Sequence, residues 1–146
     1  MVITIEVANF VVLKTLVDQG SSVDILYWKT LKRLGLAKDT IVPMEEQIVA
    51  FSSKRVDTRG YIDLYTKFGE GDQGYRTIMV RNLFIDVSTS YNVLLEWPSL
   101  NNLGVIESTP HLAMKLPLKR GGVTIVHVNQ KPPESVTPLT WCWHQP

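Results

Sequence analysis

Cysteine is almost absent from this sequence. The chain of 146 residues has one, Cys142, so no disulfide can form within it, and a reducing compartment suits it. An excess of either charge is lacking too. Fifteen Lys and Arg stand against 14 Asp and Glu, a formal net charge of +1, which gives no electrostatic case for nucleic acid or an anionic membrane surface as a partner. The basic stretches around Lys29, Lys32 and Arg33, and around Lys115, Lys119 and Arg120, are short and read as solvated faces. No apolar run approaches the ~20 residues that a membrane helix needs. Met1 to Glu6 alternates like a strand and lacks the basic start and cleavage site of a signal peptide, so a cytoplasmic protein is expected. Histidine is sparse. His111, His127 and His144 stand singly, without the paired spacing of a metal site, so no metal and no cofactor is called for. Gly69 to Gly74 lacks the Lys-Ser/Thr of a phosphate loop and reads as a hairpin turn. No internal repeat is present.

What is there reads as one globular domain: 45% hydrophobic and 20% charged residues, in a length typical of a single core. Val2 to Ala8 alternates as a strand, and Ala8-Asn9 is a tight turn. Phe10 to Val17 is a second strand, so apolar that burial on both faces is expected. A short apolar run, Val23 to Leu26, follows. Tyr27 to Leu34 has helical spacing and ends at Gly35, a C-cap glycine. From Gln47 the pattern is β again: Gln47–Phe51 and Val56–Phe68 flank the polar hairpin tip Ser52 to Arg55, and Tyr75–Val87 forms the next strand. Tyr91–Leu95 is short and apolar. Pro98 to Gly104 reads as a short helix, proline first and glycine last. Val105–Glu107, His111–Leu116 and Val123–Val128 complete the strands. After Lys131 come Pro132, Pro133 and Pro138, periodicity stops, and a linker is expected. Many short strands with two short helices argue for an all-β barrel or sandwich.

One segment carries chemistry. Asp18 closes a buried apolar strand, where a carboxylate is costly to desolvate unless it is hydrogen-bonded. Gly20 permits a sharp turn beside it, and Ser21 and Ser22 offer hydroxyl and amide donors. By itself Asp-Gln-Gly-Ser is also an ordinary strand-ending turn. Asp24 follows closely and reads as a solvated loop residue. Cys142 and His144 share the Pro-flanked tail with Trp141 and Trp143, a poor scaffold for a nucleophile pair.

The wider context resembles a known family. Leu16 to Leu26, Leu-Val-Asp-Gln-Gly-Ser-Ser-Val-Asp-Ile-Leu, is similar to the active-site loop of retropepsins, in the variant of plant gypsy-type LTR retrotransposons. Phe51 to Leu64 resembles their flap and the strand after it. Tyr91 to Leu95 with Pro98 to Gly104 resembles their second block. Ser108 to Lys115 and His127 to Lys131 are similar to the segment leading towards the reverse transcriptase. The resemblance spans about residues 2–131.

It implies a retropepsin-like closed β-barrel over residues 1–117, with one or two short helices and a flap hairpin, and an extension over 118–146. It implies an aspartic endopeptidase that processes a Gag–Pol polyprotein, in the cytoplasm or inside a virus-like particle. Asp18 would be the catalytic carboxylate, with Gln19, Gly20, Ser21 and Ser22 as its loop. Ala50, Phe51, Ser52, Ser53 and Lys54 would be the flap over an extended peptide substrate. Such an enzyme needs two carboxylates sharing one proton. This chain supplies one, so its partner would be a second copy in a homodimer. Three features depart from the family. Gln19 replaces a Thr or Ser, Glu96 and Trp97 stand where Gly-Arg is usual, and Ser52-Ser53 replaces a flap glycine. The alternative is a catalytically inactive remnant of the fold, or a dimerisation or binding module.

Overall fold

A computed structural model describes residues 1–18, 20, 22–36, 40–49, 55–69, 71, 74–108, 113–128 and 142–144. Strand β1 (Val2–Val7) turns into β2 (Phe10–Val17) through Ala8 and Asn9, at φ 49° and 70°. Positive φ at both central residues is what a tight two-residue hairpin requires. β1 buries Ile3, Ile5 and Val7 on one face and leaves Val2, Thr4 and Glu6 half-covered, the period of two expected of a strand.

β2 departs from the expectation of burial on both faces. Val12, Thr15 and Val17 are buried, whereas Val11, Leu13, Lys14 and Leu16 are only half-buried. The register explains the spacing. Ile3 pairs Thr15 but Ile5 pairs Val12, so Leu13 and Lys14 together face Thr4 in a bulge, with Lys14 at φ 53°. The extra residue switches which side chains point inward.

β3 (Asp24–Tyr27) leads into α1 (Trp28–Leu34). The helix ends on Gly35 at φ 63°, whose N–H donates to the Lys32 carbonyl at 3.2 Å; Lys32 and Arg33 in the last turn suit the carbonyl end of the helix. β4 (Val42–Val49) and β5 (Arg55–Gly69) pair antiparallel, from Val42 opposite Tyr61 to Val49 opposite Arg55. β6 (Tyr75–Ile85) runs back along β5. β7 (Val93–Leu95) precedes α2 (Trp97–Leu103), which closes on Gly104 at φ 67°.

The sheet order β1-β2-β7-β3-β6-β5 closes on itself because β1 also pairs β5, through Glu6–Lys67 and Val7–Thr66. A closed barrel of six strands results, with β4 added outside β5. Each of its six members is paired on both sides over at least part of its length. Its interior is filled by side chains including Ile3, Ile5, Val12, Leu26, Ile62, Phe68, Phe84 and Leu95, and α1 and α2 add Leu31, Leu34, Leu100 and Leu103.

Three strands form a second sheet: β8 (Ile106–Ser108), β9 (Ala113–Pro117) and β10 (Val123–His127). It seals the core with Met114, Leu116 and Val126. Arg76 fastens it to the barrel, donating from Nη1 to the Leu103 carbonyl at 2.7 Å and the Pro117 carbonyl at 3.4 Å. Pro117 and Val123 are paired across the β9–β10 hairpin, so Pro117, the last residue of the expected domain, lies inside a supersecondary unit.

The tail also differs from the linker expected. β11 (Cys142–His144) pairs antiparallel with Phe10–Val12 of β2. β7 covers only Thr15–Val17 on that edge, which leaves backbone donors and acceptors of β2 open. Strand addition uses backbone groups and needs no hydrophobic period, so composition gave no sign of it. The side chains of Cys142, Trp143 and His144, and all of Trp141, lie outside the described structure.

Candidate active site

β7 lies between β2, to which it is parallel, and β3, to which it is antiparallel. The chain leaving β2 at Val17 must therefore pass over the C-terminal end of β7 to enter β3 at Asp24. Asp18 stands at the start of this arch, half-buried. Its N–H donates to the Leu95 carbonyl at 2.9 Å, which continues the β2–β7 ladder by one bond. The Gly20 N–H turns back and donates to Asp18 Oδ1 at 3.0 Å. A Cβ at position 20 would meet that same oxygen at 3.2 Å. A side chain at position 20 would therefore make the Asp18 carboxylate give way by a few tenths of an ångström.

Of the expected loop residues, Gly20 faces the Asp18 carboxylate and Ser22 is exposed. Gln19 and Ser21 lie outside the described residues, as do all five expected flap residues, Ala50, Phe51, Ser52, Ser53 and Lys54. The strands that would carry the flap are described. β4 and β5 remain paired up to Val49 and Arg55. Gly60 sits in β5 at φ 150°, where a Cβ would lie 2.4 Å from the Val42 carbonyl oxygen. Thr58 closes that bend: its hydroxyl accepts from the Gly60 N–H at 3.3 Å and lies within donating distance of the Phe84 carbonyl, 3.2 Å.

Asp24 is a correction. It is not a solvated loop residue but 3% exposed, on β3. Its Oδ1 accepts the Glu96 N–H at 2.7 Å and its Oδ2 the Ser99 hydroxyl at 2.7 Å. Burial pushes its pKa above the ordinary carboxylate range, while hydrogen bonds from Glu96 and Ser99 pull it back. Ser99 is the third residue of α2, and Glu96, at the N-cap, makes no side-chain cap. A carboxylate from a neighbouring strand therefore serves the start of this helix.

Glu96 is buried at 0% exposure and Trp97 is 52% exposed. The Glu96 carboxylate is close enough to Tyr27 to raise the pKa of that phenol further, after burial, the larger cause. A cleft of about 430 Å³ opens beside the arch, lined by Ser22, Val23 and Asp24 with Met44 of β4, Met79 and Leu83 of β6, and Pro98 of α2. Arg81 stands on its rim in a two-pronged pair with Asp63, at 2.9 and 3.0 Å. That pair holds the Asp63 carboxyl below the usual range.

Among the described residues no group of three His, Cys, Asp or Glu converges to hold a metal ion, and no helix is long and apolar enough to cross a membrane. Chemically the arch offers one accessible carboxylate, Asp18, with an amide donor on one oxygen. Asp24 is the nearest acid along the chain, but both its oxygens are taken by α2.

No family model matches this chain, and no curated protein matches it. Solved structures do. One is the crystal structure of the retroviral protease-like domain of Ddi1 from Leishmania major, with a TM-score of 0.58 at 15% identity, covering 93% of this chain and 97% of that one. The closed barrel, the two helices and this likeness give the chain a retropepsin-like fold.

Proposed function

We propose that this chain is one subunit of a homodimeric aspartic endopeptidase, of the kind encoded in the Gag–Pol polyprotein of plant gypsy-type retrotransposons. The observation that carries the reading is the placement of Asp18 on the arch over β7, with the Gly20 N–H on its carboxylate. Two copies related by a two-fold axis would bring two such carboxylates around one water. Like charges that close cannot both ionise, so the pair holds one proton. One carboxylate takes the proton of the attacking water, and the other donates to the oxygen of the scissile carbonyl. The β4–β5 hairpin would close over an extended peptide in the cleft and donate backbone hydrogen bonds to it. In this reading the barrel and the second sheet belong to the protease and the chain after β10 leads towards the next unit of the polyprotein, in the cytoplasm or a virus-like particle.

The test is cleavage of a peptide library at mildly acidic pH by the purified protein and by Asp18→Asn, with the size in solution measured alongside. Cleavage by a dimer, lost in Asp18→Asn, supports the reading. Cleavage that survives the substitution, or a strict monomer that cuts, sinks it.

A second reading is favoured by Glu96, fully buried one residue beyond the carbonyl that receives the Asp18 N–H. A carboxylate there adds negative charge beside a site that must hold two more. The chain would then be a non-catalytic module of the same fold. Glu96→Gly combined with Trp97→Arg separates the two: an inactive parent and a cutting variant favour the module, and a cutting parent removes it.

A further inference from the structure

A single peptide unit holds both ends of the arch that carries Asp18. The Leu95 carbonyl accepts the Asp18 N–H at 2.9 Å. On the other side of the same peptide bond, the Glu96 N–H donates to Asp24 Oδ1 at 2.7 Å. This peptide is trans, and in a trans unit the C=O and N–H are coplanar and point opposite ways. The Leu95–Glu96 peptide is therefore a rigid bar set between Asp18 and Asp24. The far end of the bar is fixed by more than one contact, because Asp24 Oδ2 also receives the Ser99 hydroxyl at 2.7 Å. Asp24, Glu96 and Ser99 are 3%, 0% and 3% exposed, so water does not compete for these bonds. A charged acceptor away from water makes the stronger class of hydrogen bond. Each oxygen of the Asp24 carboxylate thus holds one donor at the start of α2, and the residue also lines the cleft.

We propose that Asp24 is a positioning residue: acting through the Leu95–Glu96 peptide and Ser99, its carboxylate fixes where the Asp18 carboxyl stands on the arch. The significance for catalysis rests on the reading of Asp18 as the reacting group. The placement of Asp18 does not, and the two are tested apart.

Amide hydrogen exchange reads the placement directly. The Asp18 amide reports the bar, the Leu100 amide reports α2, and the Met79 amide in β6 reports the barrel. Asp24→Ala is expected to speed exchange of the Asp18 amide about tenfold or more relative to Met79, the loss of a hydrogen bond to a charged acceptor. Ser99→Ala, which leaves the Glu96 bond in place, gives a smaller increase and serves where Asp24→Ala does not fold. Asp24→Asn rescues, because its amide oxygen can accept from Glu96 and its NH₂ can donate to Ser99 Oγ. In a cleaving parent, Asp24→Ala lowers kcat, and Asp24→Asn restores it. The proposal is overturned if Asp18 exchange moves no more than Met79, if only Leu100 responds, or if Asp24→Asn behaves as Asp24→Ala. A parent that cuts no peptide, with the exchange pattern as expected, removes the protease reading and leaves the clasp standing.

Discussion

Thr30 of α1 places its hydroxyl on Asn92, 3.0 Å from the main-chain oxygen and 3.1 Å from Oδ1. Both residues are 0% exposed. Asn92 also donates to the two carbonyls of the β2 bulge, from N–H to Lys14 at 3.0 Å and from Nδ2 to Leu13 at 2.8 Å, and accepts the Tyr27 N–H at 3.2 Å. It thus joins β2, β3 and α1 just before β7 begins. The arch above β7 can be placed only if these elements are in register.

Asn92→Ala should therefore be among the most damaging single changes outside the hydrophobic core. It leaves the Leu13 carbonyl without its Nδ2 donor, at about 1–3 kcal/mol for a buried group left unpaired, and removes one of the two acceptors of the Thr30 hydroxyl, which keeps the Asn92 main-chain oxygen. Denaturant unfolding would show a lowered midpoint. Thr30→Val should cost less, since Asn92 keeps its bonds to β2. Equal losses for the two variants would contradict this ranking.

Asp18→Asn should separate chemistry from stability. Asp18 is half-buried, and an Asn oxygen can still accept from Gly20. Thermal unfolding should move little. Any peptide cleavage should fall by about 10²–10⁴-fold, the range general acid–base groups contribute. A large drop in Tm with activity lost would instead point to a folding role.

The barrel was legible because its strands carry their own period. Ile3, Ile5 and Val7 alternate, and Gly35 and Gly104 mark two helix ends. The turn at Asp18 was legible as a tetrapeptide with Gly20 inside it. The role of Asp24 was not. Whether an Asp after a turn is solvated or buried depends on donors 72 and 75 residues further along the chain, and no local pattern encodes that separation. The β2 bulge escaped for a similar reason: it is set by the carbonyl partners Asn92 provides, not by the residues of β2. β11 escaped because an open backbone edge has no sequence signature.

Gly60→Ala should damage the β4–β5 hairpin. A Cβ there meets the Val42 carbonyl oxygen at 2.4 Å, and φ is 150°, in a region that side chains rarely adopt. Backbone must move, at a cost of at least about 1–3 kcal/mol. Gly71→Ala is the control: φ is 66°, but nothing lies within 4 Å of its Cβ, so only the backbone preference of about 1 kcal/mol is lost. A smaller loss at position 60 than at 71 would refute the clash.

The pH dependence of stability should carry the mark of Asp24. Burial raises its pKa in the folded chain above the ordinary value of 3.8, against the pull of its bonds to Glu96 and Ser99. Between the unfolded and folded values the native state binds more protons than the unfolded chain, so stability falls as pH rises through that window. The contribution of Asp24 is fully present below 3.8 and lost once the folded pKa is passed. Asp24→Asn keeps the shape and cannot ionise, which removes this slope. Its stability relative to the parent should be lowest in acid, rise through the window, and level off once the folded pKa is passed. Urea unfolding of both proteins across that range measures the difference. A difference that stays constant, or a stability of Asp24→Asn relative to the parent that falls as pH rises, would mean that the hydrogen bonds from α2 outweigh the burial of the charge.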